Sequence, residues 1–479
     1  MSSWETVIGL EIHCQLLTKS KIFSSSSTAY GKEPNEQASY VDLGMPGTLP
    51  VLNQGVIKKA VQFGLAINSK ISKKSIFARK NYFYPDLPKN YQISQLDHPI
   101  VQGGYIEISG SENSIKKINI TRAHLEEDAG KSIHSSENNC TFIDLNRAGT
   151  PLLEIVSEPE ISNAKEAVLY MKKIHNIVTY LKISDGNMQE GSFRCDANVS
   201  VRKMGEKKLG TRTELKNINS FKFVEKAINY EIERQINLLE EGKKIIQETR
   251  LYDETKGVTK SMRSKEEAND YRYFPDPDLL PIEIDENYII DIKKMMPDLP
   301  DKKEKEYKTN YEFNNEQINI LLSDIEITKF IDQVLKISKV NAKKIVNYFI
   351  SSIYIKINKE NLCFSQNMIS AEDFCTVIES IENKIVSKSY LKKIIDDIWS
   401  NKNPVKDVIV NLSSNHEIDD EKINTLIKIT IQENKKQVEE YKSGKTKIIG
   451  FFVGKMLKKV DGVDPSVIKN KIIKILDSI

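Results

Sequence analysis

Apolar and polar residues alternate one by one over residues 6–15 (TVIGLEIHCQ), 115–126 and 193–201. A two-residue period predicts strands with one face turned toward a core. Residues 163–181 and 221–241 change to helical spacing. In the second stretch Phe221, Val224, Ile228, Ile232, Ile236 and Leu239 share one side of a helix. Beyond residue 310 the spacing stays helical, as in the amphipathic stretch 338–353. Glycine and proline mark the same division. Seventeen of 21 Gly lie between positions 9 and 257, none lies between 258 and 443, and no Pro lies between 301 and 403. The pattern predicts a turn-rich α/β (α+β) part over residues 1–296, ending in the linker Met296-Pro297-Asp298-Leu299-Pro300. An all-α part over 297–404 follows, and a third part over 405–479 begins after the softer break at Asn403-Pro404.

The chain of 479 residues has no run of about 18 apolar residues, so no membrane-spanning helix is expected. Its first residues lack the basic flank and apolar core of a secretory signal. Five scattered cysteines without a CxxC spacing argue against a disulfide framework and for a reducing, cytoplasmic setting. A net charge of +3 excludes a wholly basic polyanion binder. The last 39 residues hold nine Lys and three acids; this local +6 either faces nucleic acid or is a solvated helical face. Only ten of 70 basic residues are Arg, all between Arg79 and Arg272. A chain that otherwise uses Lys keeps Arg where a planar fork must hold carboxylate or phosphate. Compositional drift is the plain alternative.

Several catalytic signatures are missing. There is no GxxxxGK[ST] loop: Ser443-Gly444-Lys445-Thr446 has the tail of one, but Glu439 stands where the first Gly belongs. No GxGxxG follows a strand, and neither a GxSxG elbow nor a Gly/Ser-rich amidase signature is present. Five of the six His lie within the first 175 residues, which directs the search for chemistry there.

Four polar clusters stand out in that part. Glu11 and His13 share a strand face and could form half of a divalent-metal site, although two such residues alone are better explained by a wet strand face. In the run Arg122–Lys131, Glu126, Glu127 and Asp128 repel one another unless a cation intervenes. Alternation sends Glu126 and Glu127 to opposite faces, and spacing does not choose between them. The string 144–154 (DLNRAGTPLLE) ends in Glu154 amid apolar neighbours, where a carboxylate needs a metal, a cation or a proton. Along 192–200, Ser192, Arg194, Asp196, Asn198 and Ser200 share one face, either a solvent face or a site floor. Cys195 on the other face reads as a core residue. Segments 79–95 and 261–278 add Arg, Lys and stacking aromatics in Pro-fixed loops. Together these features read as acids and a His that could hold Mg²⁺, beside cations and rings that could hold a nucleotide or an RNA end. That is phosphoryl transfer without a P-loop.

The strings IGLEIHCQL, RKNYFYPDLPKNYQISQ, EEDAGKS, DLNRAGTPLLEIVSEP, EGSFRCDANVSVR, TELKNINSF and YRYFPDPDL, in this order, resemble the GatB family, the B subunits of the glutamyl-tRNA(Gln)/aspartyl-tRNA(Asn) amidotransferases. The 450–465 region is similar to the family's YqeY-like tail. The resemblance implies a cradle domain with a mixed or antiparallel sheet, a helical domain and a small helical tail that contacts tRNA. It implies a heterotrimer with the amidase GatA, which releases ammonia from glutamine, and the small protein GatC. It implies ATP- and Mg²⁺-dependent phosphorylation of the side-chain carboxyl of a misacylated tRNA, then attack by ammonia. Glu11, His13, Glu127 and Glu154 resemble the metal set, with Asp196 as a further candidate. Lys80, Asn146, Arg147 and Lys216 become candidates for phosphate or acyl-phosphate binding. The region of Glu127 and Lys80 resembles the mouth of an ammonia channel. Some relatives carry a zinc site of two Cys pairs; here the stretch 23–47 has Ser24, Ser26, Ser39 and Asp42, so no zinc is expected. Two other readings compete: a stand-alone ATP-dependent ligase using free ammonia, and a non-catalytic tRNA-binding scaffold.

Overall fold

The computed structural model describes residues 3–109, 114–135, 140–262, 271–401, 403–414, 420–459 and 465–477. The strings at 263–270 and 461–464 noted above lie outside the described residues. The chain divides into two compact units, Met1–Pro300 and Asp301–Ile479.

The first unit is organised by a ten-stranded sheet. Its strands are β1 (Trp4–Gln15), β2 (Lys70–Ile71), β3 (Val101–Gln102), β4 (Tyr105–Ser109), β5 (Ile115–Glu127), β6 (Pro151–Ser157), β7 (Phe193–Lys203), β8 (Thr213–Lys216), β9 (Glu248–Asp253) and β10 (Val258–Ser261). They lie in the order β10-β9-β8-β7-β1-β6-β5-β3-β2, with β4 against β5. Only β8 and β9 run parallel. The alternating stretches of the sequence therefore became the central strands β5, β1 and β7. On β1, Ile8, Leu10, Ile12 and Cys14 are at most 1% exposed. Their face carries the helices: α2 (Ala164–Tyr180) packs on β1 and β4, α1 (Gln54–Ala66) on β2, β3 and β5, and α3 (Phe221–Glu240) on β7 and β10. Each helix opens on a side-chain cap, from Asn53, Asn163 and Ser220 respectively. The odd-numbered residues Glu11, His13 and Gln15 are left on the opposite face.

A small three-stranded sheet joins Ala78–Asn81, Tyr91–Ser94 and Phe274–Pro275, and carries Arg79 and Lys80. Several arginines turn their forks to acids of the same chain. Arg202 holds both oxygens of Glu5 at 2.9 and 3.2 Å, and Arg234 holds both oxygens of the fully buried Glu231 at 2.9 and 2.6 Å. Arg79 ties Asp276 at 3.0 Å and Asp278 at 2.7 Å. The planar groups expected for ligand binding thus largely stitch the fold together.

In the second unit one buried cluster runs from Tyr307 to Leu412 and another from Ile423 to Leu476. The helix Val405–Ser414 contributes Val405, Val408, Ile409 and Leu412 to the first cluster. The cores therefore divide between Leu412 and Ile423, later than Asn403-Pro404. The helical stretch 338–353 is interrupted: Ala342–Phe349 passes into a π-helical turn, Ile350–Tyr354. There Ser352 Oγ donates back to the Tyr348 carbonyl at 2.6 Å. No described helix is long and apolar enough to cross a membrane.

Candidate active site

Register brings the site together. His13 lies opposite Glu154 of β6, and Glu154 opposite His124 of β5. Directly opposed residues of antiparallel strands point to one face, as do residues two apart, so Glu126 joins them. His13 Nε2 lies 3.5 Å from Glu154 Oε2 and 3.7 Å from Glu126 Oε1. His124 Nε2 reaches Glu154 Oε2 at 3.3 Å. One ligand atom from each of His13, Glu126 and Glu154 falls within 4.8 Å of the others.

This donor set suits a divalent cation. One imidazole nitrogen and two carboxylates could hold one divalent cation, and most of their distances are too long for good hydrogen bonds. Glu126 is buried, and its other contact within the site is a 3.4 Å one from Ser94 Oγ. Burial works to lower the His13 imidazole, but Glu154 and Glu126 outweigh it and hold it up to about 9. Burial alone would raise Glu154; His124 and His13 instead hold it well below the usual carboxylate range. A proton on His13 thus stands where a cation would serve the same carboxylates. His124 Nδ1 is buried without a partner, which fits an Nε2–H tautomer aimed at Glu154.

Glu127 does not belong to this cluster. Alternation turns it to the other face, where Lys89 Nζ meets its two oxygens at 2.6 and 2.7 Å and Ile93 N–H donates at 2.8 Å. The resemblance placed Glu127 in the metal set; geometry brings Glu126, and not Glu127, beside His13 and Glu154. Glu11 shares the face of His13, opposite Asp196, but lies outside the three-residue cluster. Its carboxyl is raised by burial, then by Glu154, Glu214 and Asp196, against a 3.0 Å bond from Asn198. Asp196 is paired with Lys216 at 3.1 Å, and Lys216 also reaches Glu214 at 3.1 Å. Burial opposes the Lys216 charge, and these two acids raise it.

Lys80 is half-buried with its Nζ 4.9 Å from the centre of the Tyr271 ring. Burial opposes its charge, but Glu126, Tyr273 and Glu154 keep it raised. Asn146 and Arg147 are spent on loops. Asn146 holds Gln37 N–H at 2.8 Å and the Glu33 carbonyl at 2.6 Å. Arg147 donates to the carbonyls of Ala129 and Gly130 at 2.9 and 2.6 Å. Both support the turn before β6, and the Arg147 side chain stays 38% exposed. A cleft of about 440 Å³ opens beside Glu11, lined by Gly9, Ser157, Asn198, Ser200, Thr211 and Arg212, among others.

Sequence reasoning passed over His124 and Lys89. His124 had a signal, since it stands two residues before Glu126 on the same strand. Lys89 sits in an irregular turn, and nothing local marked it.

A long, mostly antiparallel sheet brings carboxylates and imidazoles together on the face away from its helices. The family described as GatB/GatE catalytic domain matches residues 6–290, and that described as GatB domain matches residues 321–476. The chain is 52% identical to the aspartyl/glutamyl-tRNA(Asn/Gln) amidotransferase B subunit of Alkalilimnicola ehrlichii, over 99% of this chain and 100% of that protein. It is 52% identical to the protein of the same name from Thioalkalivibrio sulfidiphilus, over 96% of each chain. It is 51% identical to that of a Coxiella burnetii strain, again over 96% of each. The chain belongs to the GatB family.

Proposed function

We propose that this chain is the carboxylate-activating subunit of an amidotransferase that converts Glu-tRNA(Gln), Asp-tRNA(Asn) or both to the amidated forms. The His13–Glu126–Glu154 cluster, on the catalytic-domain sheet, carries the reading. ATP would phosphorylate the side-chain carboxylate of the misacylated residue. Ammonia from glutamine would then attack the acyl phosphate, forming the C–N bond and releasing phosphate. Both reactants of the first step are anionic and repel, so charge must be offset between them. His13, Glu126 and Glu154 would hold Mg²⁺, with Glu11 next to them on the same face. The ion supplies charge neutralisation between phosphate and carboxylate. Lys80 keeps its proton beside the same acids and offers a second positive charge. His124 orients Glu154. The buried Lys89–Glu127 pair, directly behind Glu126, is the better candidate than Lys80 for gating ammonia. The partners GatA and GatC, a cytoplasmic setting and tRNA contact by the basic tail belong to the same reading.

The test is ATP turnover by the chain purified with its partner proteins, given each charged tRNA with and without Mg²⁺. ADP release that requires both Mg²⁺ and one charged tRNA supports the reading. Turnover with free ammonia and no partner would favour the stand-alone ligase, and none on either tRNA would favour the scaffold.

A pH dependence follows from His13. Its folded pKa, about 9, lies above the ordinary 6.5, so its pairing stabilises the cation-free protein fully below about 6.5. That contribution is lost as pH rises through 9. Cation binding must expel this proton, so affinity for Mg²⁺ should rise by up to about tenfold per pH unit between 7 and 9. Calorimetry in buffers of different ionisation heat should show close to one proton released at pH 7.5. A flat affinity with no proton release would remove His13 from the ligand set.

A further inference from the structure

Strand β5 changes sides partway along its length. Ile118 and Ile120 are buried, and Ile118 lies opposite Ile106 of β4, on which α2 packs. Further on, the buried apolar residues are Ala123 and Leu125. The parity switches at Thr121. Arg122 lies opposite Val156 of β6, and Ile120 lies opposite Ser157, so Thr121 is an extra residue in β5, a bulge. Both its polar groups tie it down: its carbonyl accepts from Gly103 N–H at 3.1 Å, and its Oγ1 donates to Glu158 Oε1 at 2.8 Å. Without the extra residue, Arg122, His124 and Glu126 would follow Ile118 and Ile120 toward the helices. The bulge therefore delivers Arg122 to the face of the cluster together with His124 and Glu126.

Arg122 is not consumed by the fold. Among the described residues Arg79, Arg194, Arg202, Arg234 and Arg250 each hold an acid, whereas Arg122 makes no ion pair or hydrogen bond. Its Nε is buried without a partner. A buried donor on a group that stays charged is costly to leave unmet, and a ligand is one way to meet it. Arg212 also holds no acid among the described residues, but it is exposed and water serves it. Arg122 lies directly opposite Val156, which in turn lies opposite Glu11 and lines the cleft beside it. Along β5 its Cα is about 7 Å from that of His124.

We propose that Arg122 is a catalytic residue whose fork holds two oxygens of the γ-phosphoryl group of ATP as that group passes to the substrate carboxylate. In this step the bond from the γ-phosphorus to the bridging oxygen breaks and its electron pair leaves on ADP. A carboxylate oxygen forms the new bond to phosphorus, and no proton or redox partner is required. The two carboxylates of the cluster already offset a divalent ion, so the incoming triphosphate calls for further positive charge. A planar guanidinium adds two parallel bonds to phosphoryl oxygens, which an ammonium such as that of Lys80 does not. The inference rests on the functional reading above and names a residue for its first step.

The test uses the complete complex and begins with binding. Arg122→Met keeps the apolar stem and removes the fork, so a packing role predicts no change. Calorimetry should instead show affinity for the β,γ-imido analogue of ATP falling about tenfold, with affinity for ADP within about twofold of wild type. ADP release on the charged tRNA should fall about 100-fold. Arg122→Lys keeps the charge and should recover only part of both losses. Should Arg122→Met fail to assemble, Arg122→Lys carries the test, and its preference for triphosphate over diphosphate must still fall at least about threefold. An unchanged preference in the variant that assembles would overturn the proposal and leave the functional reading standing. Weaker binding of the charged tRNA with an unchanged nucleotide preference would overturn it too, because the fork would then hold an RNA phosphate. A wild-type complex that binds neither nucleotide would overturn the functional reading, and this role with it.

Discussion

Glu126→Gln is expected to abolish tight Mg²⁺ binding and to lower ATP-dependent amidation at least about 100-fold, whereas Glu127→Gln should leave cation affinity within about twofold. The contrast follows from the two faces of β5. Glu126 turns to His13, and its removal leaves one imidazole and one carboxylate to hold the ion. Glu127 turns away and spends its charge on Lys89 and the Ile93 amide. Losing one preorganised charge-stabilising group in a water-poor site typically costs 10²- to 10³-fold, about 3–4 kcal/mol of transition-state stabilisation. His13→Ala and Glu154→Gln should match Glu126→Gln, because each removes one of the same three ligand atoms. Glu127→Gln should instead show its defect in the use of glutamine, with turnover on added ammonium retained. The measurements are Mg²⁺ calorimetry and ADP release by the assembled complex, with circular dichroism as the control for folding. Full Mg²⁺ affinity in Glu126→Gln, or its loss in Glu127→Gln, would reverse the assignment.

That assignment shows where the sequence stops being legible. Period-two stretches marked β1, β5 and β7, and the helical spacings marked α2 and α3, because burial of one face writes itself into the residue order. The same alternation showed that Glu126 and Glu127 diverge. It could not say which one meets His13, because that depends on pairing partners. Only the register, His13 opposite Glu154 and Glu154 opposite His124, settles the face. The ten arginines were legible as forks but not as to what the forks hold. Arg79, Arg202 and Arg234 hold carboxylates of this protein, from residues up to 199 positions away. The partners of Asn146 were hidden for a related reason: its amide meets the 33–37 loop only in space. Side chains that close long-range loops carry no local signal. Asn403-Pro404 lies between two helices, yet apolar Val405–Leu412 continues the core before it.

Asp42→Ala is expected to destabilise the first unit by about 3–5 kcal/mol, the usual cost of stranding a buried partner charge. Lys21 is fully buried and its Nζ lies 3.3 Å from Asp42 Oδ2. Asp42 also accepts from Ser24 Oγ at 2.9 Å, Ser26 Oγ at 2.7 Å and both the amide and hydroxyl of Ser39, at 2.8 and 2.9 Å. Asp42 and these three serines are the side chains in the stretch where some relatives place two Cys pairs. Here three hydroxyls and an ammonium converge on one carboxylate, which knots the 21–47 loop as a metal would. The knot reaches the site: Lys21 donates to the Leu145 carbonyl at 3.2 Å, and Ile22 N–H to that of Gly149 at 3.0 Å, on the turn that leads into β6 and Glu154. Gly149 has φ +78°, and a Cβ there would stand 2.9 Å from Asp42 Oδ1, so a side chain is excluded on both counts. Burial still drags the Lys21 ammonium below the usual lysine range despite Asp42. The pair therefore fixes geometry more than it adds stability, and Lys21→Met/Asp42→Ala should recover over half of the loss. Removing one hydroxyl, as in Ser26→Ala, should cost only about 1 kcal/mol. Thermal unfolding of the complex at fixed concentration gives the ranking, and elemental analysis should find well under one zinc per chain. One tightly bound zinc, or an Asp42→Ala protein as stable as wild type, would mean that the hydroxyl knot is not what holds this loop.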